Sequence, residues 1–303
     1  GLLKMDFLGL RNLTVLDDAV KMVQQREPEF ALSKIPDDDA ETYDMISRGQ
    51  TAGVFQIEST GMTGVCVGLK PQSIEDITAV IALYRPGPME SIPRFIACKH
   101  DPKLVTYKHP RLVPILSVTY GCIVYQEQVI RIFQELGGFS LGQADMVRRA
   151  ISKKKAKEIE KERYSFVYGD AERGIKGCIA NGIDEKTAQA IYDEIYDFAN
   201  YAFNKAHAVS YAVVAYQTAY FKCHYTKEYM AALLTSVLDN SDKVAGHCAA
   251  AAGREPVQRP VHRGAGRHTV RPGGHQEHRT GLYPVGGPGA GAGRQLYDFA
   301  GFL

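Results

Sequence analysis

The stretch that decides the fold class is residues 209–223, VSYAVVAYQTAYFKC. Its larger apolar side chains recur at alternating spacings of four and three residues, at Val209, Val213, Tyr216, Tyr220 and Cys223. This period is that of an amphipathic helix, and the run is long enough for several turns. We predict a long helix here, with those five side chains on its buried face.

Helix signals continue on the N-terminal side of this stretch. They are the stripe Leu13, Leu16, Val20 and Val23, the capping-box patterns at 73–76 and at 140–143 (the latter ahead of a helix over 144–157), and Asp184 ahead of Ile191, Ile195 and Phe198. Strand-like segments are few, at 2–8 and 121–125, and loops are indicated at 85–88 and 177–182. We therefore predict a mainly α fold with a remnant β-strand at the N-terminus.

The overall composition is that of a folded soluble protein. Of 303 residues, 45% are apolar and 23% are charged. No apolar run reaches the roughly 18 residues of a membrane span, so we expect no membrane partner. Six widely spaced cysteines without a C-x-x-C exclude a compact zinc module and a disulfide scaffold, and they favour the reducing cytoplasm. The chain begins at Gly1 within an apolar run, which we interpret as the interior of a longer protein.

The C-terminal part differs sharply from the rest. All 18 lysines lie in residues 1–245, which contain 29 basic and 31 acidic residues. Residues 246–295 carry 12 of the 29 glycines, 5 of the 14 prolines and 5 of the 9 histidines, with few large aliphatics. Such a stretch buries too little apolar area to offset its ordering entropy. We expect the folded region to end near Ala245.

A first candidate site is the run KMDFLG at residues 4–9. Side chains two apart in a strand share a face, so Lys4 and Asp6 would lie together. A carboxylate beside a lysine can hold Mg²⁺ and a phosphate. An ordinary ion pair at a strand edge is the commoner interpretation of a K-x-D pattern taken alone.

A second candidate site is the basic stretch 148–163. This stretch contains eight cationic residues and only three glutamates. The cationic residues include Arg148, Arg149, Lys153, Lys154 and Lys155. Arginine can grip phosphate oxygens bidentately, which favours anion binding. A solvated helix face is the alternative, since charge runs are usually that.

A third candidate site is YAFNKAH at 201–207, where aromatics adjoin Asn204, Lys205 and His207. Such a set can stack on a base and hold a phosphate. His207 could act as a general acid, although a histidine at a helix start more commonly makes a structural hydrogen bond. The turn with Tyr84 and Arg85 presents an arginine, or simply stops a helix.

Several short motifs, taken in their order along the chain, are together typical of one protein family. They are KMDFLGLR (4–11), VFQIES (54–59), LYRPGP (83–88), YG (120–121), YQEQ (125–128), ADMVRRA (144–150), KKK (153–155) and FNKAH (203–207). Over about residues 1–245 the chain closely resembles the alpha subunits of bacterial DNA polymerase III, the C-family replicative polymerases. The resemblance implies the end of the palm over 1–9, a helical fingers domain over 10–245, and a short family-like remnant over 296–303.

The resemblance also implies roles for individual residues. Asp6 would be a catalytic carboxylate and Mg²⁺ ligand, and Lys4 would lie beside the triphosphate. Arg148, Arg149 and Lys205 would contact the phosphates of the incoming nucleotide, with Asn204 and His207 nearby. Contacts to DNA or phosphate are also expected from Tyr84, Arg85, Lys153, Lys154 and Lys155. The implied partners are primer–template DNA, deoxynucleoside triphosphates and, through the full-length chain, a sliding clamp and other replisome subunits.

One departure from the family pattern limits the activity expected of this chain. The family's other two catalytic aspartates, a D-x-D pair, belong to a segment that precedes the residues present here. Two-metal phosphoryl transfer needs several carboxylates, so we expect this chain alone to be inactive. The alternatives are a non-catalytic helical module that binds nucleic acid by its basic face, and an unrelated helical interaction protein.

Residues 246–295 are expected to be a frame-shifted or disordered segment. Codons that encode residues 273–284, read one nucleotide later, permit AIKNIGQGFI, which is similar to a run that the polymerase family carries beyond its fingers. A Gly/Arg-rich basic linker is the alternative. The nucleotide sequence of the gene decides between them.

Overall fold

The computed structural model describes residues 9–152, 156–199 and 201–251, and these form thirteen α-helices. In chain order they are α1 (Arg11–Gln24), α2 (Ala40–Ser47), α3 (Thr60–Leu69), α4 (Ile74–Leu83), α5 (Ile92–His100), α6 (Val113–Leu116), α7 (Gln126–Gly137), α8 (Leu141–Ser152), α9 (Ala156–Tyr168), α10 (Glu185–Ala199), α11 (Lys205–His224), α12 (Thr226–Ser236) and α13 (Ser241–Ala251). Short 3₁₀ turns lie at Leu32–Lys34, Pro88–Ser91, Pro102–Leu104, Pro110–Leu112 and Ser117–Thr119. The mainly α prediction is confirmed. Among the described helices, none is long and apolar enough to cross a bilayer.

The strand predicted over 121–125 is wrong. Within the described ranges the backbone pairs there through one isolated parallel bridge, between Tyr125 and Phe203. The ladder cannot extend because α7 begins at the next residue, Gln126, and α11 begins at Lys205. The strand predicted over 2–8 lies outside the described residues.

The long helix predicted at 209–223 is confirmed as part of α11, but its buried face differs from the prediction. The face that packs on α4 is a row of fully buried alanines, Ala208, Ala212, Ala215 and Ala219. Of the predicted stripe, Tyr216 is buried, while the other four members are only half-buried. Alanine has no side chain beyond Cβ, so this face lets the backbone of α4 approach closely. The larger side chains then lie on the flanks of the contact.

The start of α4 is fixed by a buried polar cluster. The Ser73 hydroxyl accepts a hydrogen bond from the Asp76 amide at 3.3 Å, so the predicted cap is confirmed. The Asp76 carboxylate accepts from the Gln72 amide at 2.9 Å, instead of from Ser73 as the usual capping box would have it. It also pairs with Lys99 Nζ at 2.7 Å and accepts from the Tyr120 hydroxyl at 2.9 Å. This cluster ties α4 to α5 and to the turn ahead of α7.

Besides the core that contains the contact between α4 and α11, a second core lies among α1, the end of α11 and α12. The buried side chains of α1 are Val15, Leu16, Ala19 and Val23. Leu13, which the sequence placed on this face, is 52% exposed. At 100° per residue Leu13 lies about 100° from the centre of the buried face, so the prediction was wrong at that position.

A third core is formed by α6, α7, α8, α9 and α10, and it includes apolar side chains of the predicted basic helix, α8. Ser140 and Gln143 form a reciprocal capping box, with amide-to-side-chain distances of 2.8 and 3.3 Å. The helix therefore starts at Leu141, earlier than predicted, and it is described as far as Ser152. Asp184 accepts from the Thr187 amide at 3.0 Å, so its predicted cap on α10 is confirmed.

The last described element, α13, passes the predicted end of the folded region near Ala245 and reaches Ala251. Alanines dominate its final turn, and alanine has the highest helix propensity. The rest of the unusual segment, 252–295, and the remnant at 296–303 lie outside the described residues. Their reading frame therefore stays a prediction.

Candidate functional site

The candidate site forms where two helices begin side by side. The Gln126 amide donates to the Phe203 carbonyl at 2.9 Å, and the Phe203 amide donates to the Val124 carbonyl at 3.2 Å. Each of these extended segments leads directly into a helix, α7 or α11. The N-terminal ends of α7 and α11 therefore lie together, and both carry the partial positive charge of a helix start.

Asn204 and Glu127 satisfy the first amides of α11. The Asn204 side-chain oxygen accepts from the His207 amide at 3.1 Å, which makes Asn204 the N-cap. Both carboxylate oxygens of Glu127 accept from the Lys205 amide, at 3.0 and 3.1 Å. A carboxylate at a helix start is stabilised by the helix dipole. In this structure, then, protein groups hold the positions that a phosphate would take at this helix end.

Lys205 links the start of α11 to the start of a third helix, α4. Its ammonium group pairs with Glu75, in the first turn of α4, at 3.0 Å. It also lies 5.4 Å from the ring centroid of Tyr125, a cation–π distance. The Lys205 side chain is 31% exposed, so solvent and ligands can reach it.

Two polar atoms beside Lys205 lack a hydrogen-bond partner within the described part of the chain, the Tyr125 hydroxyl and Glu75 Oε2. Tyr125 is 1% exposed, and burial together with the nearby carboxylates of Glu75, Asp76 and Glu127 raises the pKa of its hydroxyl far above the usual value. The hydroxyl therefore stays protonated. It is a hydrogen-bond donor with no acceptor among the described residues.

His207 is exposed and lies in a row of rings. Its imidazole is 5.5 Å from the Phe203 ring and 4.3 Å from the Tyr211 ring, and Tyr211 in turn is 5.3 Å from Phe55. The first turns of α11 thus carry a row of aromatic rings that contact one another, and stacking of a base on them stays a prediction. Nothing in this geometry assigns His207 a proton-transfer role.

Arg85 points into the protein and fastens its loop to the start of α11. Its guanidinium donates to the Tyr201 carbonyl at 2.7 Å and lies 4.3 Å from the Phe203 ring centroid. Desolvation by burial lowers the pKa of Arg85 from its usual value. Gly87 in this loop has φ +99°, and a Cβ there would lie 2.4 Å from the Tyr201 ring. Arg85 therefore positions residues 201–203, and phosphate contact by Arg85 stays a prediction.

Tyr84, the residue before Arg85, is also turned towards the protein. A Cβ at Gly61 of α3 would lie 1.6 Å from its hydroxyl oxygen. The Tyr84 side chain therefore packs directly against Gly61, where a larger residue would clash with it. The contact of Tyr84 with DNA stays a prediction.

Arg148 and Arg149 share one carboxylate, Asp145. Arg148 donates to it at 2.8 and 3.0 Å, and Arg149 pairs with it at 2.8 Å. The hydrogen bond from Arg148 is the main reason that the pKa of Asp145 lies below its usual value. Two arginines on one carboxylate leave a net positive charge on α8. Arg149, 66% exposed, is the better placed of the two to meet an anion.

The structure brings some predicted residues together and not others. Asn204, Lys205 and His207 share the start of α11, and Arg85 braces it. Arg148 and Arg149 lie on α8, away from that helix start in the sequence, and their side chains share Asp145 instead. Lys4, Asp6, Lys153, Lys154 and Lys155 lie outside the described residues.

Sequence reasoning missed Glu75, Glu127 and Tyr125 as members of the site. Glu75 and Glu127 could have been suspected because each lies in the first turn of a helix, where carboxylates are favoured. Nothing in the sequence signals that both meet Lys205.

Comparison with known proteins gives a consistent result. Residues 12–174 match the model of the bacterial DNA polymerase III alpha subunit finger domain. The chain is 49% identical over 245 residues to the DNA polymerase III subunit alpha of Bacillus subtilis, and 46% identical over 244 residues to that of Borreliella burgdorferi; each alignment covers 80% of this chain and 21% of the relative. The subunit alpha of Thermus aquaticus is 49% identical over 251 residues, 81% of this chain and 20% of the relative. The chain thus spans about a fifth of the length of the relatives it matches.

Proposed function

The chain belongs to the bacterial DNA polymerase III alpha subunit family, and on this premise we propose that it serves template-directed DNA synthesis as the helical fingers of such a subunit. In this proposal the complete subunit adds deoxynucleotides to a primer 3′-end and releases pyrophosphate. The observation that carries the proposal is the match of more than half of the chain to the finger-domain model, together with relatives near 49% identity named DNA polymerase III subunit alpha.

We assign the start of α11 to the phosphates of the incoming nucleotide. Helix N-termini favour anions, and Lys205 stands there with a partly exposed ammonium group. Glu75 holds that group in this structure, so a triphosphate would replace a carboxylate as its partner. The ring of Tyr125, whose hydroxyl has no hydrogen-bond partner among the described residues, lies 5.4 Å from the same ammonium group, and Asn204 and His207 belong to the same helix start. Arg149 and Arg148 on α8 would contribute further positive charge.

Magnesium enters this proposal through Asp6, which lies outside the described residues. When bound, Mg²⁺ would neutralise charge on the attacking and leaving oxygens. The described carboxylates at the α11 start, Glu75 and Glu127, already hold Lys205, so they do not fit as a ready magnesium site. The further carboxylates would come from the rest of the subunit, with Lys4 beside the triphosphate. This proposal implies three kinds of partner: primer–template DNA, a sliding clamp and other replisome subunits. It also implies that the subunit acts in the cytoplasm.

Primer extension tests the proposal. The complete subunit that contains this segment should extend a primed template in the presence of Mg²⁺, while the 303-residue chain alone should not. Asp6→Asn in the complete subunit should abolish extension and leave DNA binding nearly intact, because asparagine keeps the shape and loses the charge that holds the metal.

Two results would count against the proposal. Near-normal extension by the Asp6→Asn subunit would remove the metal role, and extension by the short chain would show that the missing carboxylates are not needed. Binding of DNA that a nucleotide with Mg²⁺ never affects would instead favour a non-catalytic nucleic-acid-binding module.

A further inference from the structure

The far end of α11 carries a second cluster of polar groups, distinct from the nucleotide-binding end. Cys223 and His224 are the last residues of this 20-residue helix, which at 1.5 Å per residue is about 30 Å long. Glu41 lies opposite them in the first turn of α2. One ligand atom from each of these three residues lies within 4.8 Å of the other two.

A neighbouring carboxylate orients the histidine in this cluster. The Asp39 carboxylate lies 2.8 Å from His224 Nε2. That carboxylate is itself held by the Thr42 amide at 2.8 Å and the Thr42 hydroxyl at 2.6 Å. When Nε2 carries the hydrogen shared with Asp39, Nδ1 carries the lone pair that a metal needs. A carboxylate behind a histidine is the usual second partner of a metal-bound imidazole.

We propose that Glu41, Cys223 and His224 bind one Zn²⁺ ion, with Asp39 positioning His224 and water in the fourth position. Sulfur, imidazole nitrogen and carboxylate oxygen together suit zinc, whereas a thiolate is a poor ligand for Mg²⁺ or Ca²⁺. Binding releases the thiol proton of Cys223 to solvent, so the thiolate faces the divalent ion.

The geometry needs only a small closure to accept the ion. Tetrahedral zinc with normal bonds to sulfur and nitrogen places its ligand atoms about 3.5 Å apart. The ligand atoms here all lie within 4.8 Å of one another, and Glu41 and His224 are exposed, so the ion can enter from solvent and the Glu41 side chain can turn towards it while Asp39 holds His224. The bound ion would fasten the end of α11 to the start of α2. This site does not depend on the proposed polymerase function.

Cobalt titration of the 303-residue chain tests the site. Co²⁺ replaces zinc in such sites, and a thiolate ligand gives a charge-transfer band in the near ultraviolet. We expect this band to saturate at one equivalent and to disappear when Zn²⁺ is added. Cys223→Ser should abolish it, and Glu41→Gln or His224→Asn should weaken binding at least tenfold.

Two further variants separate a built site from an isolated thiol. Asp39→Asn keeps a good N-cap for α2 but changes the partner of His224, so cobalt affinity should fall about 10- to 100-fold. Cys248→Ser removes an exposed thiol on α13 and should leave the titration unchanged. A chain that gives no band, a band that survives Cys223→Ser, or a band that is lost in Cys248→Ser would overturn the proposal.

Discussion

The ion pair between Asp76 and Lys99 gives the sharpest test of the fold, because both side chains are almost fully buried. Asp76 is 5% exposed and Lys99 is 8% exposed, and their charged atoms are 2.7 Å apart. Removing one member of a buried pair typically costs 3–5 kcal/mol, since a charge is left unpaired. After Lys99→Met, the Asp76 carboxylate keeps its bonds from the Gln72 amide and the Tyr120 hydroxyl. We therefore expect the lower end of that range, a loss of about 3 kcal/mol.

Urea unfolding followed by circular dichroism measures this loss. The double variant Lys99→Met with Asp76→Asn removes both charges, so it should lose clearly less stability than Lys99→Met alone. Lys103→Met, at a nearby exposed position, should stay within about 0.5 kcal/mol of the parent chain. A Lys99→Met loss below about 1 kcal/mol, or a double variant that loses at least as much stability as Lys99→Met and Asp76→Asn summed, would contradict a stabilising contact between these two charges.

Two further predictions concern the core around α8 and the charge on that helix. Gly177→Ala should lose more than about 2 kcal/mol, because φ is +81° and the new Cβ would lie 2.3 Å from a backbone nitrogen. Gly174→Ala has φ +70° and open space, so its loss should be smaller; equal losses in urea unfolding would contradict the close approach. In the complete subunit, Arg148→Ala or Arg149→Ala should raise the KM for nucleotide or lower the incorporation rate, with Arg131→Ala as the exposed control on α7. Unchanged single-nucleotide incorporation kinetics would count against the arginines as phosphate ligands.

Local features of this chain could be predicted from sequence, because the residues that make them are close together. The capping box of Ser140 and Gln143 is an example, since both of its hydrogen bonds span three residues. The pairing of Asp145 with Arg148 and Arg149 was equally local and could have been found. Acidic and basic residues three and four apart on a helix are neighbours.

Features that depend on a distant partner could not be predicted. The alanine face of α11 is buried because α4 packs against it, and apolar periodicity alone favoured the larger side chains. Glu75 meets Lys205 across 130 residues of sequence, so no local pattern reveals their contact. The residue pattern and the family resemblance predicted Asn204, Lys205 and His207, whereas the carboxylates that contact Lys205, Glu75 and Glu127, are evident only in the structure.

In the proposed function, the start of α11 binds the phosphates of the incoming nucleotide through Lys205. The most direct measurement is single-nucleotide incorporation by the complete subunit with Lys205→Met, compared with Lys103→Met as a matched exposed control. A hydrogen bond to a charged group is worth about 1.5–3 kcal/mol, so kcat/KM for the nucleotide should fall roughly 10- to 150-fold while the affinity for DNA stays the same. Glu75→Gln, which releases the lysine, should leave kcat/KM unchanged or increase it. If Lys205→Met incorporates nucleotide with the same kcat/KM as the control, the claim is contradicted.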